Sequence, residues 1–324
     1  MNTRDHGGNL EMARATWGAG DWIDLSTGIN RRPYSVPPLP GSVWTALPTD
    51  TAQQALIAAA AATYGCAPQH ILPLAGAQAG IQLYPHLRAA GRAAVLSPSY
   101  NEHAASLRAA GWQVQSAETL ADMAGADLAV VVNPNNPDGR SFDPADLTDL
   151  ATQVGLLVVD ESFADPAPQL SVAGQLGGNI LVLRSFGKFY GLAGVRLGFA
   201  LAGPGLLTRL HQMAGPWAVS GPAQHIGTQA LQDHSWAQIT RNRLAQDAAR
   251  LDGMALHAGW ALVGGTALFR TYATADAALA QDALARHHIW SRIFPYSDHW
   301  IRLGLPDGAD WDRVGTAFST IAQI

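Results

Sequence analysis

Apolar positions along the chain fall into short continuous runs separated by stretches of helical periodicity. Residues 71–74, 93–96, 128–132, 156–160, 180–184 and 195–201 read as strands, because runs of this length are too short for helices and are apolar on both faces. Between them, residues 78–90, 100–110 and 144–154 carry helical patterns, and Thr51 is placed to cap a helix reaching about Tyr64. Buried strands joined by helical crossovers predict an α/β fold, with a mostly parallel central sheet and helices on both faces. A long helical stretch, 222–258, then leads to a smaller α+β tail with strands near 268–272 and 300–303. The expected organisation is an N-terminal arm at 1–44 that contributes to the small domain, a large domain at 45–221, and a connecting helix with the small domain at 222–324.

Charge and composition narrow the function classes. Lys+Arg 20 against Asp+Glu 25 gives a formal net charge of −5. With no basic run longer than Arg31-Arg32, the chain lacks the footprint of a nucleic-acid binder or a polybasic membrane anchor. No apolar run approaches the roughly 18 residues of a membrane span, and residues 1–20 lack the apolar centre of a signal peptide. A single cysteine, Cys66, cannot form an intrachain disulfide, so a cytoplasmic protein is expected. Of the 20 Lys+Arg residues, 19 are Arg, and Lys188 is the one lysine. Such depletion reflects either drift toward arginine or the sparing of one amine with a task.

Ligands of open α/β sheets bind beyond the carboxyl ends of the strands, and the unusual residues of this sequence collect there. Gly76-Ala77-Gln78 follows the first strand at a helix start, either as a plain turn or as a phosphate cradle of free N–H groups. Tyr100 opens the next helix, where its ring packs in the core or stacks on a flat cofactor. The third strand ends in Asn133-Pro134-Asn135-Asn136-Pro137, whose amides can turn the chain or donate to a ligand oxygen. Asp160 closes the fourth; a carboxylate there is costly unless paired, so a cationic partner is expected. After the fifth strand, Lys188 lies in a Ser- and Gly-rich loop, where an amine can form a Schiff base with an aldehyde. His86, His103, His211, His225 and His287-His288 show no metal-ligand spacing and receive no role.

In this order the motifs resemble the fold-type-I pyridoxal phosphate (PLP) enzymes of the class I/II aminotransferase superfamily, over nearly the whole chain. The resemblance implies PLP as cofactor, with Lys188 joined to its aldehyde and Asp160 paired with its protonated pyridine nitrogen. It further implies Asn136 at the phenolic oxygen, Tyr100 on the ring, and Ala77, Gln78, Ser185 and Arg196 around the phosphate. A homodimer is implied too, since the family builds its sites at a dimer interface. Leu47 departs from the pattern, because related enzymes often place there a Tyr that reaches the neighbouring subunit's cofactor.

Two branches look closest, the histidinol-phosphate aminotransferases and the threonine-phosphate decarboxylases of cobalamin biosynthesis. His6-Gly7-Gly8-Asn9 and Asp24-Leu25-Ser26-Thr27-Gly28-Ile29-Asn30 resemble the decarboxylase arm and substrate segment. Phe163 stands where the aminotransferase branch has a Tyr. Trp300-Ile301-Arg302-Leu303-Gly304 resembles the strand presenting a carboxylate-binding arginine. The resemblance thus implies decarboxylation of a small phosphorylated amino acid, with His6, Gly28, Asn30, Arg292 and Arg302 at the substrate; histidinol-phosphate-type transamination is the alternative. Arginine suits both anions of such a substrate, and the sequence leaves open which arginine holds which. A PLP-binding transcription regulator would need a DNA-binding module, and the roughly 45 residues before the first core helix lack a helix-turn-helix pattern.

Overall fold

The structure is a computed structural model that describes residues 6–322. It divides into two compact units, one of residues 33–136 and 140–236, the other of the residues up to Arg32, 137–139 and those from Ala237 onward. The sequence reading set its divisions at 44/45 and 221/222; the units part at 32/33 and 236/237, so the helix Gly221–Gln232 stays with the large unit. Residues 1–5 of the expected arm lie outside the described residues.

In the large unit a seven-stranded sheet is built from β1 (Ile71–Leu74), β2 (Arg92–Leu96), β3 (Gln113–Ala117), β4 (Leu128–Val132), β5 (Leu157–Asp160), β6 (Ile180–Ser185) and β7 (Gly198–Ala202). Its order is β1-β7-β6-β5-β4-β2-β3, with only β7 antiparallel to its neighbours. β4 and β5 are buried at every position, as a sheet covered on both faces requires. β3 escaped the sequence reading because it is an edge strand with a polar, largely exposed Gln-Val-Gln-Ser run.

Local chemistry explains the other differences. The first long helix is capped by Thr49, not Thr51: Thr49 Oγ1 accepts from the Ala52 N–H at 3.2 Å. The helix expected to reach residue 90 ends at Leu83, where Pro85 turns the chain into a 3₁₀ segment, Tyr84–His86. β7 begins at Gly198 rather than 195, because Ala193–Val195 form a 3₁₀ turn and Arg196 is left-handed at φ 55°. The stretch 222–258 is two helices, Gly221–Gln232 and His234–His257, separated at Asp233, whose Oδ1 accepts from the Trp236 N–H. No helix among the described residues is long and apolar enough to cross a membrane.

The small unit holds a four-stranded antiparallel sheet in the order Arg292–Phe294, Ser297–Gly304, Phe269–Ala273, Ala261–Thr266. Ile23–Asp24 pairs in parallel with Ile289–Trp290. Trp17 and Trp22 pack on Trp290 with ring centroids 5.4 and 6.4 Å away, which fastens the N-terminal segment to this unit. Residues 137–139 belong here because Thr271 Oγ1 donates to the Pro137 carbonyl and Gly139, at φ 72°, lies against Gly265 so closely that any Cβ would overlap its backbone.

Candidate active site

The carboxyl ends of the parallel strands bring together most of the residues singled out in the large unit. Ser185 at the end of β6 pairs with Gly198 at the start of β7. A Cβ on Gly198 would stand 2.4 Å from the Ala77 nitrogen, so this glycine lets the strand pair close onto the start of the helix Ala77–Leu83. The first amides of a helix have no carbonyl in a preceding turn. Gly76, left-handed at φ 82°, leaves room for the Arg196 guanidinium, whose Nη2 would lie 3.0 Å from a Cβ there. Ser185, Ala77, Gln78 and Arg196 thereby surround one cradle of N–H, hydroxyl and guanidinium donors, a set that fits a phosphate dianion. Gln78 is braced by Tyr100, whose hydroxyl donates to Oε1 at 3.5 Å, and its amide donates to Glu102 at 3.3 Å.

Asp160 is 3% exposed. The partner expected from sequence is the imidazole of His103, Nε2 to Oδ2 at 2.9 Å. The other oxygen accepts from the Ser162 N–H and hydroxyl. Burial pushes the Asp160 pKa up, but the hydrogen bonds from His103 and Ser162 outweigh it and hold the group below the ordinary carboxylate value. The other ring nitrogen, Nδ1, lies 3.2 Å from the Tyr84 hydroxyl. Tyr84 and His103 are fully buried. His103 was given no role from sequence; the available signal was its i+3 spacing from Tyr100, whose ring lies 6.0 Å from its own at 83°. Asp160 pairs with Val132 in the adjacent strand, and beyond Val132 the loop uses Asn133 to hold Phe142 and Leu170, and Asn135 to hold the Pro98 carbonyl. Asn136 follows, half-buried.

Lys188 stands on a one-turn helix, Phe186–Phe189, fixed by aromatic packing. Tyr190 is stacked between Phe186, at 4.4 Å and 13°, and Trp236, at 5.4 Å and 12°, while Phe189 meets Trp236 edge-on. Lys188 Nζ lies 5.7 Å from the centre of the Phe163 ring. Behind the strand ends, Arg184 is buried with Glu161 at 2.7 Å and with Asp165, and its guanidinium lies 4.4 Å from the Tyr64 ring. This cluster ties β6 to the segment after β5. Cys66 is half-buried, and burial raises its thiol to about 11, so it is a poor nucleophile. No group of three or more His, Cys, Asp or Glu that could hold a metal occurs among the described residues.

In the small unit Arg292 and Arg302 face each other in register across two antiparallel strands. Like charges directly opposite are unfavourable, a cost that an anion held between them would relieve. Arg302 is buried; burial first, then the charge of Arg292, pulls its pKa down to about 10. The aromatic rings of Phe269 and Phe294 lie 5.3 and 5.9 Å from its guanidinium, and its Nη2 donates to the Ser26 carbonyl at 2.7 Å. Arg292 and His6 line one cavity of about 610 Å³ together with Ser26, Gln281 and Phe294. Asn30 is buried, and its Oδ1 accepts from Arg243 at 2.7 Å and from the Arg32 N–H. Gly28 is buried.

The fold is that of an α/β enzyme that carries a cofactor at the strand ends of its large unit. The chain belongs to the aminotransferase class I and II family, which matches residues 42–314, and it is PLP-dependent like that family. The threonine-phosphate decarboxylase of Pseudomonas aeruginosa is 44% identical over 324 residues, covering 97% of this chain and 96% of that protein. Its counterpart from a Sinorhizobium species is 44% identical over 97% of both. A histidinol-phosphate aminotransferase of Cronobacter sakazakii is 32% identical over only 58% of this chain and 57% of its own. Among solved structures, histidinol-phosphate aminotransferase from Sinorhizobium meliloti in complex with PLP has a TM-score of 0.84 at 20% identity, covering 97% of this chain and 94% of that one; the likeness speaks for the fold.

Asp160→Asn is expected to destabilise the protein at pH 7. Because the native pKa is depressed, the stability this carboxylate contributes is present above 3.8 and fades as pH falls through the lower native value. Denaturation curves of the two proteins should therefore converge in strong acid, and a gap that widens there would contradict the pairing. Borohydride reduction of the PLP-loaded protein is expected to leave the pyridoxyl group on the peptide containing Lys188. Mass spectrometry of the Lys188→Arg protein should find that label gone.

Proposed function

We propose that this protein decarboxylates L-threonine O-3-phosphate to (R)-1-aminopropan-2-ol O-phosphate and CO2, supplying the aminopropanol arm of cobalamin, as a cytoplasmic homodimer. The observation that carries this reading is the 44% identity, over nearly the full length, to two threonine-phosphate decarboxylases. It is supported by the cross-strand pair Arg292 and Arg302, which suits a substrate with two anionic groups. Phe163, in place of a tyrosine hydroxyl, favours it over transamination.

When bound, PLP supplies an electron sink for the pair left on Cα as CO2 departs. Asp160, anionic through His103 and Ser162, would hold the proton on the pyridine nitrogen. Tyr100 would cover the ring, Asn136 would donate to the phenolic oxygen, and Ala77, Gln78, Ser185 and Arg196 would take the phosphate. Lys188 would hold the aldehyde carbon until the substrate amine replaces it. The lysine amine, having taken the proton that the substrate's ammonium group gives up, would then deliver it to Cα in place of the departed CO2.

The substrate phosphate, with the higher charge, is assigned to Arg292 and His6, two potentially cationic groups on one cavity wall. The singly charged carboxylate is assigned to Arg302, whose guanidinium is already oriented by the Ser26 carbonyl. Only a bond perpendicular to the cofactor plane cleaves readily, so decarboxylation requires the substrate to be held with its Cα–carboxylate bond in that direction. For the dimer, the large unit exposes Trp44, at 67%, and Leu47, at 65%, on and beside the short helix Ser42–Thr45, where a second copy would cover them.

Purified protein with PLP is expected to release one CO2 per threonine phosphate consumed, and Arg302→Gln to lower kcat/KM by about a hundredfold or more. Conversion of histidinol phosphate with 2-oxoglutarate, without CO2 from threonine phosphate, would refute the assignment. Light scattering should return twice the 34.1 kDa chain mass. Trp44→Glu is expected to shift that value toward the monomer.

A further inference from the structure

The Ser26 hydroxyl has no role in the reaction as described, yet the residue is 1% exposed and bonded on every side. Its N–H and hydroxyl both donate to Asp24 Oδ1, at 2.9 and 2.6 Å. Its Oγ accepts from the Gly8 N–H at 2.7 Å. Its carbonyl accepts from Arg302 Nη2 at 2.7 Å. The same carbonyl is pressed against Gly7, where a Cβ would stand 2.4 Å from the oxygen, and Gly8 is left-handed at φ 89°. Gly7 is thus required by the close seating of the arm on Ser26, and Gly8 by its backbone conformation.

The segment carrying Ser26 is itself clamped from both sides. The Leu25 N–H donates to the Trp290 carbonyl at 2.8 Å, two residues before Arg292. The Gly304 N–H donates to the Leu25 carbonyl at 2.7 Å, two residues after Arg302. One short segment is therefore tied to the strand of Arg302, to the strand that precedes Arg292, and to the arm of His6.

We infer that Ser26 is a positioning residue that couples the phosphate and carboxylate anchors: its hydroxyl latches the His6 arm over the Arg292 cavity, and its carbonyl sets the Arg302 guanidinium. The inference rests on the substrate reading above and divides the two functions of one residue. Ser26→Ala removes the acceptor of the Gly8 N–H but keeps the carbonyl, so it loosens the arm and leaves Arg302 in place. Gly7→Ala pushes on the carbonyl and disturbs both.

Loss of one such hydrogen bond changes binding by up to about tenfold. Ser26→Ala is expected to raise KM for threonine phosphate by about that factor with a smaller effect on kcat. His6→Ala should do the same, and the double variant should be no worse than either single one, because both disable the same anchor. Gly7→Ala should in addition weaken inhibition by unphosphorylated threonine, which presents a carboxylate and no phosphate. Calorimetric titration of the PLP-loaded proteins with inorganic phosphate reads the arm without turnover and decides the question even if threonine phosphate is no substrate. Additive effects of His6→Ala and Ser26→Ala, or unchanged phosphate affinity in Ser26→Ala, would overturn the coupling. Should Ser26→Ala not fold, Ser26→Cys, whose sulfur is a weak acceptor for the Gly8 N–H and which keeps the carbonyl, carries the same cycle with His6→Ala.

Discussion

Burying an ionised carboxylate at the end of β5 costs several kcal/mol unless its oxygens are satisfied, and much of the large unit serves that one requirement at Asp160. His103 comes from the helix after β2, and Ser162 from the turn after β5 itself. Tyr84, at the end of the helix after β1, closes the far side of the imidazole. Three crossovers of the sheet must be in place before the carboxylate can remain charged without water. The same crossovers present Gln78 and Tyr100, so the polar network that keeps Asp160 ionised also frames the cofactor cradle.

A different electrostatic problem organises the small unit. Arg292 and Arg302 are held opposite one another by strand register, and the aromatic faces of Phe294 and Phe269 accommodate the guanidinium groups. A buried cation beside another cation is an unstable arrangement that an anionic ligand relieves. The backbone carbonyl of Ser26 offsets part of that cost without adding a carboxylate that would compete with the ligand.

Much of this was legible along the chain. The apolar runs marked six of the seven large-sheet strands, because buried parallel strands leave an unbroken apolar signature. Lys188 stood out because an otherwise Arg-only protein had kept one amine. β3 gave no such signature, being polar and exposed at the sheet edge. His103 looked like any other histidine, since its partner Asp160 is far away in sequence and only the parallel pairing of strands brings the two helix and strand ends together. Ser26 was visible only as part of a motif; that its hydroxyl and carbonyl serve different partners depends on three segments meeting in space.

The sequence by itself determined the alternation of strands and helices, the chemistry gathered at the strand ends, and the one residue able to form an imine. These are properties of residue type and local spacing, which act over a few positions. Only the tertiary structure decided that Asp160 is kept ionised by an imidazole and a hydroxyl, that the two arginines are in register, and that Gly7 is needed for contact with Ser26. Those outcomes depend on close packing between segments far apart in the chain, and no local pattern encodes which distant atoms will meet.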